Sequence, residues 1–270
     1  MHLSRLKTVR PLLFLLVLNC VPGEAIFAEP DAAKLVADSL QAFYHAGKDM
    51  RAQVTMRLIN AQGKERKRVM TMLRMDTGER GGQRYYIHFQ NPSDIRGTTF
   101  MVWKHLERED DRWIFIPAIK LVRRIAADDK RSSFVGSDFT YEDVSGRVAD
   151  DETHTLLRTE EIAGRVTYVI ESEPKERADY KHRKSWIDQS HGLPLREEFF
   201  DARGEKVRVF VADQIELVEQ HWTITGRTMK NLQTGHRTQA RFDEIKYDIG
   251  LTEEMFTERY LRNPPRKWIR

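Results

Sequence analysis

From Val54 to Tyr247 the hydrophobic period is two, and this constrains the chain more than any other feature. Val54, Met56 and Leu58 alternate with Thr55 and Arg57. Val69, Thr71 and Leu73 alternate with Met70 and Met72, and Tyr85, Ile87 and Phe89 follow Gly81-Gly82. Further strand-like runs cover 98–106, 113–116, 155–162, 166–171, 185–188, 195–200, 207–217, 222–229 and 238–247, with Gly164, Gly192, Gly204 and Gly235 between them. Alternating runs bounded by turn residues read as hairpin-connected strands. About a dozen of them with no helices between predict a large antiparallel sheet that curls or becomes a barrel, and exclude a parallel α/β fold.

Three segments depart from this period. Residues 31–44 predict a helix, because Val36, Leu40 and Phe43 share one face, Pro30-Asp31 suits its start and Gly47 follows its end. Residues 117–143 read as a long connection containing Arg123-Arg124-Ile125. Residues 252–258 predict a short helix with Thr252 as cap and Glu253-Glu254 in its first turn. Neither a linker nor a tandem repeat divides the chain, so residues 29–270 are expected to form one domain.

Met1–Ala28 reads as a secretory signal. Arg5, Lys7 and Arg10 precede an apolar run from Leu12 to Val21, Pro22-Gly23 breaks it, and Ala25 or Ala28 offers the cleavage position. Asn19 beside Cys20 argues against a lipidation signal, so the single cysteine is expected to leave with the signal, and no disulfide can form. No internal run reaches the ~18–20 apolar residues of a spanning helix. Lys plus Arg number 45 against 41 Asp plus Glu, too even a balance to imply nucleic acid.

The chemistry-bearing residues are sparse. Gly136-Ser137-Asp138 lacks the second glycine of a nucleophile elbow, and Ser137 fits better as an N-cap with Asp138 and Glu142 in the first turns of a short helix. The nine histidines show no zinc-ligand spacing, and His88 is expected to face solvent. Asp150-Asp151-Glu152 reads as a solvated turn. The basic, aromatic tail after Glu258 suits either a packed terminus or contact with an anionic membrane surface. A curled sheet has one apolar and one wet face, and its apolar side is either filled by side chains or left as a ligand cavity. Methionines 50, 56, 70, 72, 75 and 101 suit such a lining.

The ordered motifs Phe89-Gln90-Asn91-Pro92, Arg96-Gly97-Thr98-Thr99-Phe100, Trp113-Ile114-Phe115-Ile116-Pro117-Ala118, Arg123-Arg124-Ile125 and Phe134 through Asp143 resemble the outer-membrane lipoprotein-sorting family, whose fold is like that of the lipoprotein carrier LolA. More narrowly they resemble a branch often encoded beside RND/MMPL-type exporters. The resemblance implies an unclosed antiparallel β-barrel (LolA/LolB-like) that is mainly β with few helices, an N-terminal helix and a long loop or helix covering its concave side. It implies a periplasmic carrier of lipid or lipoprotein acyl chains, with transient membrane contact, no catalysis, no cofactor and no metal. The alternative is an accessory module with a filled barrel that docks an RND/MMPL-type transporter. The lining or lid implied is Val54, Met56, Leu58, Leu73, Ile87, Phe89, Phe100, Val102, Trp113, Phe115 and Phe134. Arg123 and Arg124 either pin the loop through Asp138, Glu142 and Asp143, or gate the cavity and meet an anionic head group.

Overall fold

The computed structural model describes residues 30–78, 82–176 and 178–269, apart from the Asp128 side chain; the expected signal lies outside the described residues. Helix α1 (Ala32–Tyr44) starts where the Asp31 carboxylate accepts hydrogen bonds from the Ala33 and Lys34 N–H groups. The period-two runs form β1 (Asp49–Ile59), β2 (Glu65–Asp76), β3 (Gln83–Asn91), β4 (Thr99–Lys104), β5 (Asp111–Ile116) and β6 (Leu121–Ile125). After a crossing segment come β7 (Glu152–Ile162), β8 (Arg165–Pro174), β9 (His182–Asp188), β10 (Pro194–Phe200), β11 (Lys206–Val218), β12 (His221–Asn231) and β13 (Arg237–Tyr247). The crossing segment carries α2 (Tyr141–Ser145), and the C-terminal segment carries α3 (Glu258–Arg262) and α4 (Arg266–Ile269).

The 13 strands form one sheet in the order β6-β5-β4-β3-β2-β1-β13-β12-β11-β10-β9-β8-β7. First and last strands pair antiparallel, with Thr55 opposite Arg241. The two edges, β6 and β7, are therefore consecutive in the chain and are not paired with each other, which leaves the barrel unclosed. The segment 126–151 leaves one edge and returns to the other. Part of the expected long connection is thus strand: Leu121–Ile125 pairs with β5, Ile114 opposite Arg123.

Parity separates the two faces. Met70 and Met72 on β2, Tyr85, Ile87 and Phe89 on β3, and Phe100 and Val102 on β4 share the main core with Phe134, Phe139, Tyr141 and Val144 of the crossing segment. This is the inner face. Their neighbours Leu73, Tyr86 and Met101 point the other way and pack with Leu251, Met255, Phe256, Leu261 and Ile269. The outer face of β2–β5 is thus dry, contrary to the expectation of one wet face. Near-continuous runs such as Tyr85-Tyr86-Ile87 and Phe100-Met101-Val102-Trp103 carry the signal, since a strand buried on both sides shows no alternation.

The C-terminal segment is held by backbone acceptors as well as apolar contact. Tyr86 Oη donates to the Tyr260 carbonyl (2.7 Å), Trp103 Nε1 to Phe256 (2.7 Å), Gln90 Nε2 to Ile269 (2.7 Å) and Arg51 Nε to Trp268 (2.9 Å). The Asp49 carboxylate accepts from the N–H groups of Ile249, Gly250 and Leu251. The expected helix at 252–258 is instead a 3-10 turn (Glu253–Met255) followed by α3, and Thr252 makes no side-chain cap. His88 is half-buried, bonded to Thr99 Oγ1 (3.1 Å), rather than turned to solvent.

Candidate functional site: the plugged inner face

Segment 126–151 lies on the inner face because its own turns aim four apolar side chains inward. Phe134 N–H donates to the Phe139 carbonyl (2.8 Å), closing a turn in which Gly136 takes φ +74°. Thr140, not the expected Ser137, is the N-cap of α2. Its hydroxyl accepts from Asp143 N–H (3.0 Å), and the Asp143 carboxylate accepts from Thr140 N–H (2.8 Å), a capping box. Phe134 stands 5.3 Å from the Phe100 ring, 6.0 Å from Phe89 and 5.6 Å from Tyr141. Polar contacts pin this plug to the sheet. Asp138 accepts from Thr238 Oγ1 of β13 (2.7 Å), and Arg68 of β2 donates to the Val135 carbonyl. Gly146 ends α2 at φ +87°, and a Cβ there would stand 3.2 Å from the Tyr44 ring, so the close approach of plug and α1 requires glycine.

Beside the plug the inner face of β9–β11 is ionic. Asp143 pairs with Arg147 (2.5 Å) and Arg208 (2.5 Å), and Glu142 lies 3.5 Å from both Arg147 and Arg131. Arg183 binds Glu152 (2.6 Å) and Glu197 (2.6 Å), and Tyr180 Oη donates to Glu152 (2.8 Å). Burial by itself would raise the Asp143 carboxyl. The guanidiniums of Arg208 and Arg147 and the Thr140 N–H outweigh it and hold Asp143 far below the usual carboxylate range. Glu152 is opposed by burial in the same way, yet Arg183 and the Tyr180 hydroxyl bring it from 4.5 down to about 2. It is buried, not part of a solvated turn; Asp150 and Asp151 are exposed.

A folded pKa below the unfolded one gives stability that is present above the unfolded pKa and lost as the pH falls. For Glu152 this is on the order of 3 kcal/mol at neutral pH, lost between pH 4.5 and about 2. Urea unfolding midpoints should therefore drop across that window, and Glu152→Gln should flatten much of the drop while lowering stability at pH 7. An unchanged slope in the variant would remove Glu152 from the acid response.

The third part of the inner face lies at the C-terminal end of α1. Phe43, Tyr44, Met72, Tyr85, Phe242 and Tyr247 line a small cavity, about 60 Å³, that Arg74 and Arg227 also border. Tyr44 Oη donates to the Asp143 carbonyl (3.1 Å), linking α1 to the plug. Arg74 pairs with Asp76 (2.8 Å) and donates to the Ala46 and Gly47 carbonyls.

The expected lining divides by parity. Val54, Met56, Ile87, Phe89, Phe100, Val102 and Phe134 belong to the inner core, with Leu58 packed against it. Leu73, Trp113 and Phe115 belong to the outer cluster under the C-terminal segment, because each is one residue out of step with an inner neighbour such as Met72 or Ile114. Methionines 50, 56, 70 and 72 are inner; 75 and 101 are outer. Arg123 and Arg124 lie on edge strand β6 and are exposed; Arg124 pairs with Asp111. Neither meets the acidic trio, whose partners are Thr238, Arg131, Arg147 and Arg208. Arg147, Arg183, Arg208 and Arg227 are functional candidates that sequence reasoning passed over. Only Arg208 carries a signal, a cation within the apolar strand run Val207-Arg208-Val209-Phe210; Arg183 lies between His182 and Lys184, Arg227 between Gly226 and Thr228, and Arg147 follows α2 outside any strand. Among the described residues no cluster of His, Cys, Asp and Glu could hold a metal ion.

An unclosed antiparallel sheet plugged by the segment that joins its own edges defines the class: a LolA-like fold. The model of one family, described as an uncharacterized protein, matches residues 81–263, and the chain belongs to that family. A DUF1329 family protein from Desulfovibrio piger is similar, at TM-score 0.79 and 27% identity over 85% of this chain and 97% of that one. A Vibrio parahaemolyticus domain assigned to outer membrane lipoprotein sorting matches at TM-score 0.79 and 28% identity over 86% and 98%. A LolA superfamily protein from Nitrosomonas europaea shares the fold at TM-score 0.66 and 18% identity over 86% and 100%. No curated protein matches the sequence.

Proposed function

We propose that the protein is a non-catalytic carrier in the periplasm that takes lipid, or the acyl chains of lipoproteins, onto its inner face. The observation that carries this is the plug: the apolar inner face is covered by Phe134, Phe139, Tyr141 and Val144 of a connecting segment, not by sheet closure. Such side chains stand where acyl chains would lie. The apolar inner-face cavity of about 60 Å³ is far below the roughly 300–1,000 Å³ of a ligand pocket, and the larger recess of about 890 Å³ beside Lys130, Asp151 and Asp179 has mostly charged walls, so loading an acyl chain requires the plug to move out. Apolar burial at about 25 cal/mol per Å² gives two acyl chains several kcal/mol after association costs. The similarity to a domain assigned to lipoprotein sorting supports the same reading.

The small cavity also favours a second reading, in which the filled barrel is an accessory module that docks an RND/MMPL-type exporter. Native mass spectrometry of protein purified from the cell envelope separates the two. The carrier should retain acyl lipid as a resolved mass increment. Lipid-free spectra in repeated preparations, together with no uptake of added lipid, would dispose of the carrier and leave the docking module.

A further inference from the structure

Arg227, on β12, differs from most arginines of the inner face; Arg68 also lacks a paired carboxylate but donates to the Val135 carbonyl. Arg112, Arg147, Arg183 and Arg208 each meet a carboxylate, of Asp110, Asp143, Glu152 and Asp143 respectively. Arg227 has no carboxylate within ion-pair reach among the described residues, and its Nε, like those of Arg112, Arg147 and Arg208, is buried without a hydrogen-bond partner. Its surroundings are aromatic: the guanidinium carbon lies 4.4 Å from the Phe242 ring centroid, 5.3 Å from Phe43 and 5.7 Å from Phe139. Burial disfavours its charge, yet an arginine does not give up its proton in a protein. Rings relieve only part of that cost, and an unpaired, half-buried charge is destabilising.

The position supplies a reason for keeping it. Arg227 borders the inner-face cavity, and Arg74, the other cation there, is already engaged by Asp76 and by the Ala46 and Gly47 carbonyls. The wall around it is otherwise chiefly apolar and aromatic, and the three rings against the guanidinium, Phe43, Phe139 and Phe242, come from three separate elements: α1, the crossing segment and β13. A planar guanidinium with unused donors bordering an apolar recess fits an anionic oxygen pair carried on a hydrocarbon chain. We propose that Arg227 binds the anionic head of an acyl amphiphile, which enters head-first, its chain replacing the plug aromatics along the inner face. This rests on the carrier reading and names the chemical class of its cargo. The anion has two possible sources, the carboxylate of a free fatty acid or the phosphate of an anionic phospholipid.

The test compares palmitate with hexadecanol, the same chain without charge, and phosphatidylglycerol with diacylglycerol, by displacement of a fluorescent acyl probe from the full chain. Wild type should bind at least one anionic member about tenfold more tightly than its neutral partner, and the favoured pair identifies the source. Arg227→Met should abolish that preference while keeping affinity for the neutral ligand, and Arg227→Lys should restore part of it. Ligand-free Arg227→Met should also melt no lower than wild type, because it removes an unpaired charge. Equal binding of charged and neutral ligands by wild type leaves the carrier standing and overturns the role of Arg227. Binding of no ligand by wild type overturns both. A variant that melts several degrees lower and loses all ligands alike assigns Arg227 to aromatic packing alone, and overturns the proposal.

Discussion

Replacing Asp143 with Ala is expected to lower the free energy of unfolding by about 3–5 kcal/mol, the usual cost of removing one member of a buried ion pair. Three losses coincide at this residue. The Thr140 N–H loses its acceptor at the start of α2, and Arg147 and Arg208 are left buried without their nearest carboxylate. Arg147 retains Glu142 at 3.5 Å, whereas Arg208 keeps only half-exposed Asp179 at 3.5 Å. Adding Arg208→Met to Asp143→Ala should therefore recover part of the loss, since it removes the orphaned charge. Denaturant midpoints at unchanged slope measure both steps. A single-variant cost below about 1 kcal/mol would mean that water reaches this cluster and screens it like a surface pair.

Phe134→Ala should cost a similar amount, about 3–5 kcal/mol, as a large-to-small change in a packed core, and should have the opposite effect on ligand capture. Phe134 is 1% exposed and touches Phe89, Phe100 and Tyr141. Its removal leaves an apolar space beneath the plug, of the kind that stays dry and accepts apolar guests. If the plug occupies the place of an acyl chain, uptake of a fluorescent fatty acid should rise severalfold even as stability falls. Lower stability with unchanged or weaker uptake would make Phe134 core and nothing more, and would count against the carrier.

The sheet was legible in the sequence because hairpin-joined strands carry their period and their turn residues locally. β6 was not: Leu121-Val122-Arg123-Arg124-Ile125 is a five-residue edge strand with Leu121 and both arginines exposed, so no buried face imposes an alternation. The site was legible in composition more than in detail. Phe89, Phe100 and Phe134 fall on the inner face and Trp113 and Phe115 on the outer, because parity fixes which residues share a face without saying which face is inward. That choice depends on what covers the other side, and the covering residues, such as Phe256 and Leu261, lie more than a hundred positions away. The ionic cluster was hidden for the same reason. Arg208 and Asp143 meet only after β11 has been brought against the crossing segment.

The pairing of β1 with β13 also orders the folding of the chain. β1–β6 and β7–β13 are each runs of adjacent hairpins, whose contacts are close in sequence and quick to form. Only the β1–β13 ladder joins the two halves, bringing together residues as distant as Thr55 and Arg241. Closing such a long loop costs entropy that no local contact offsets. Until β13 has formed, β1 stays an unpaired edge open to other chains, so the last strand of the sheet completes the protection of the first.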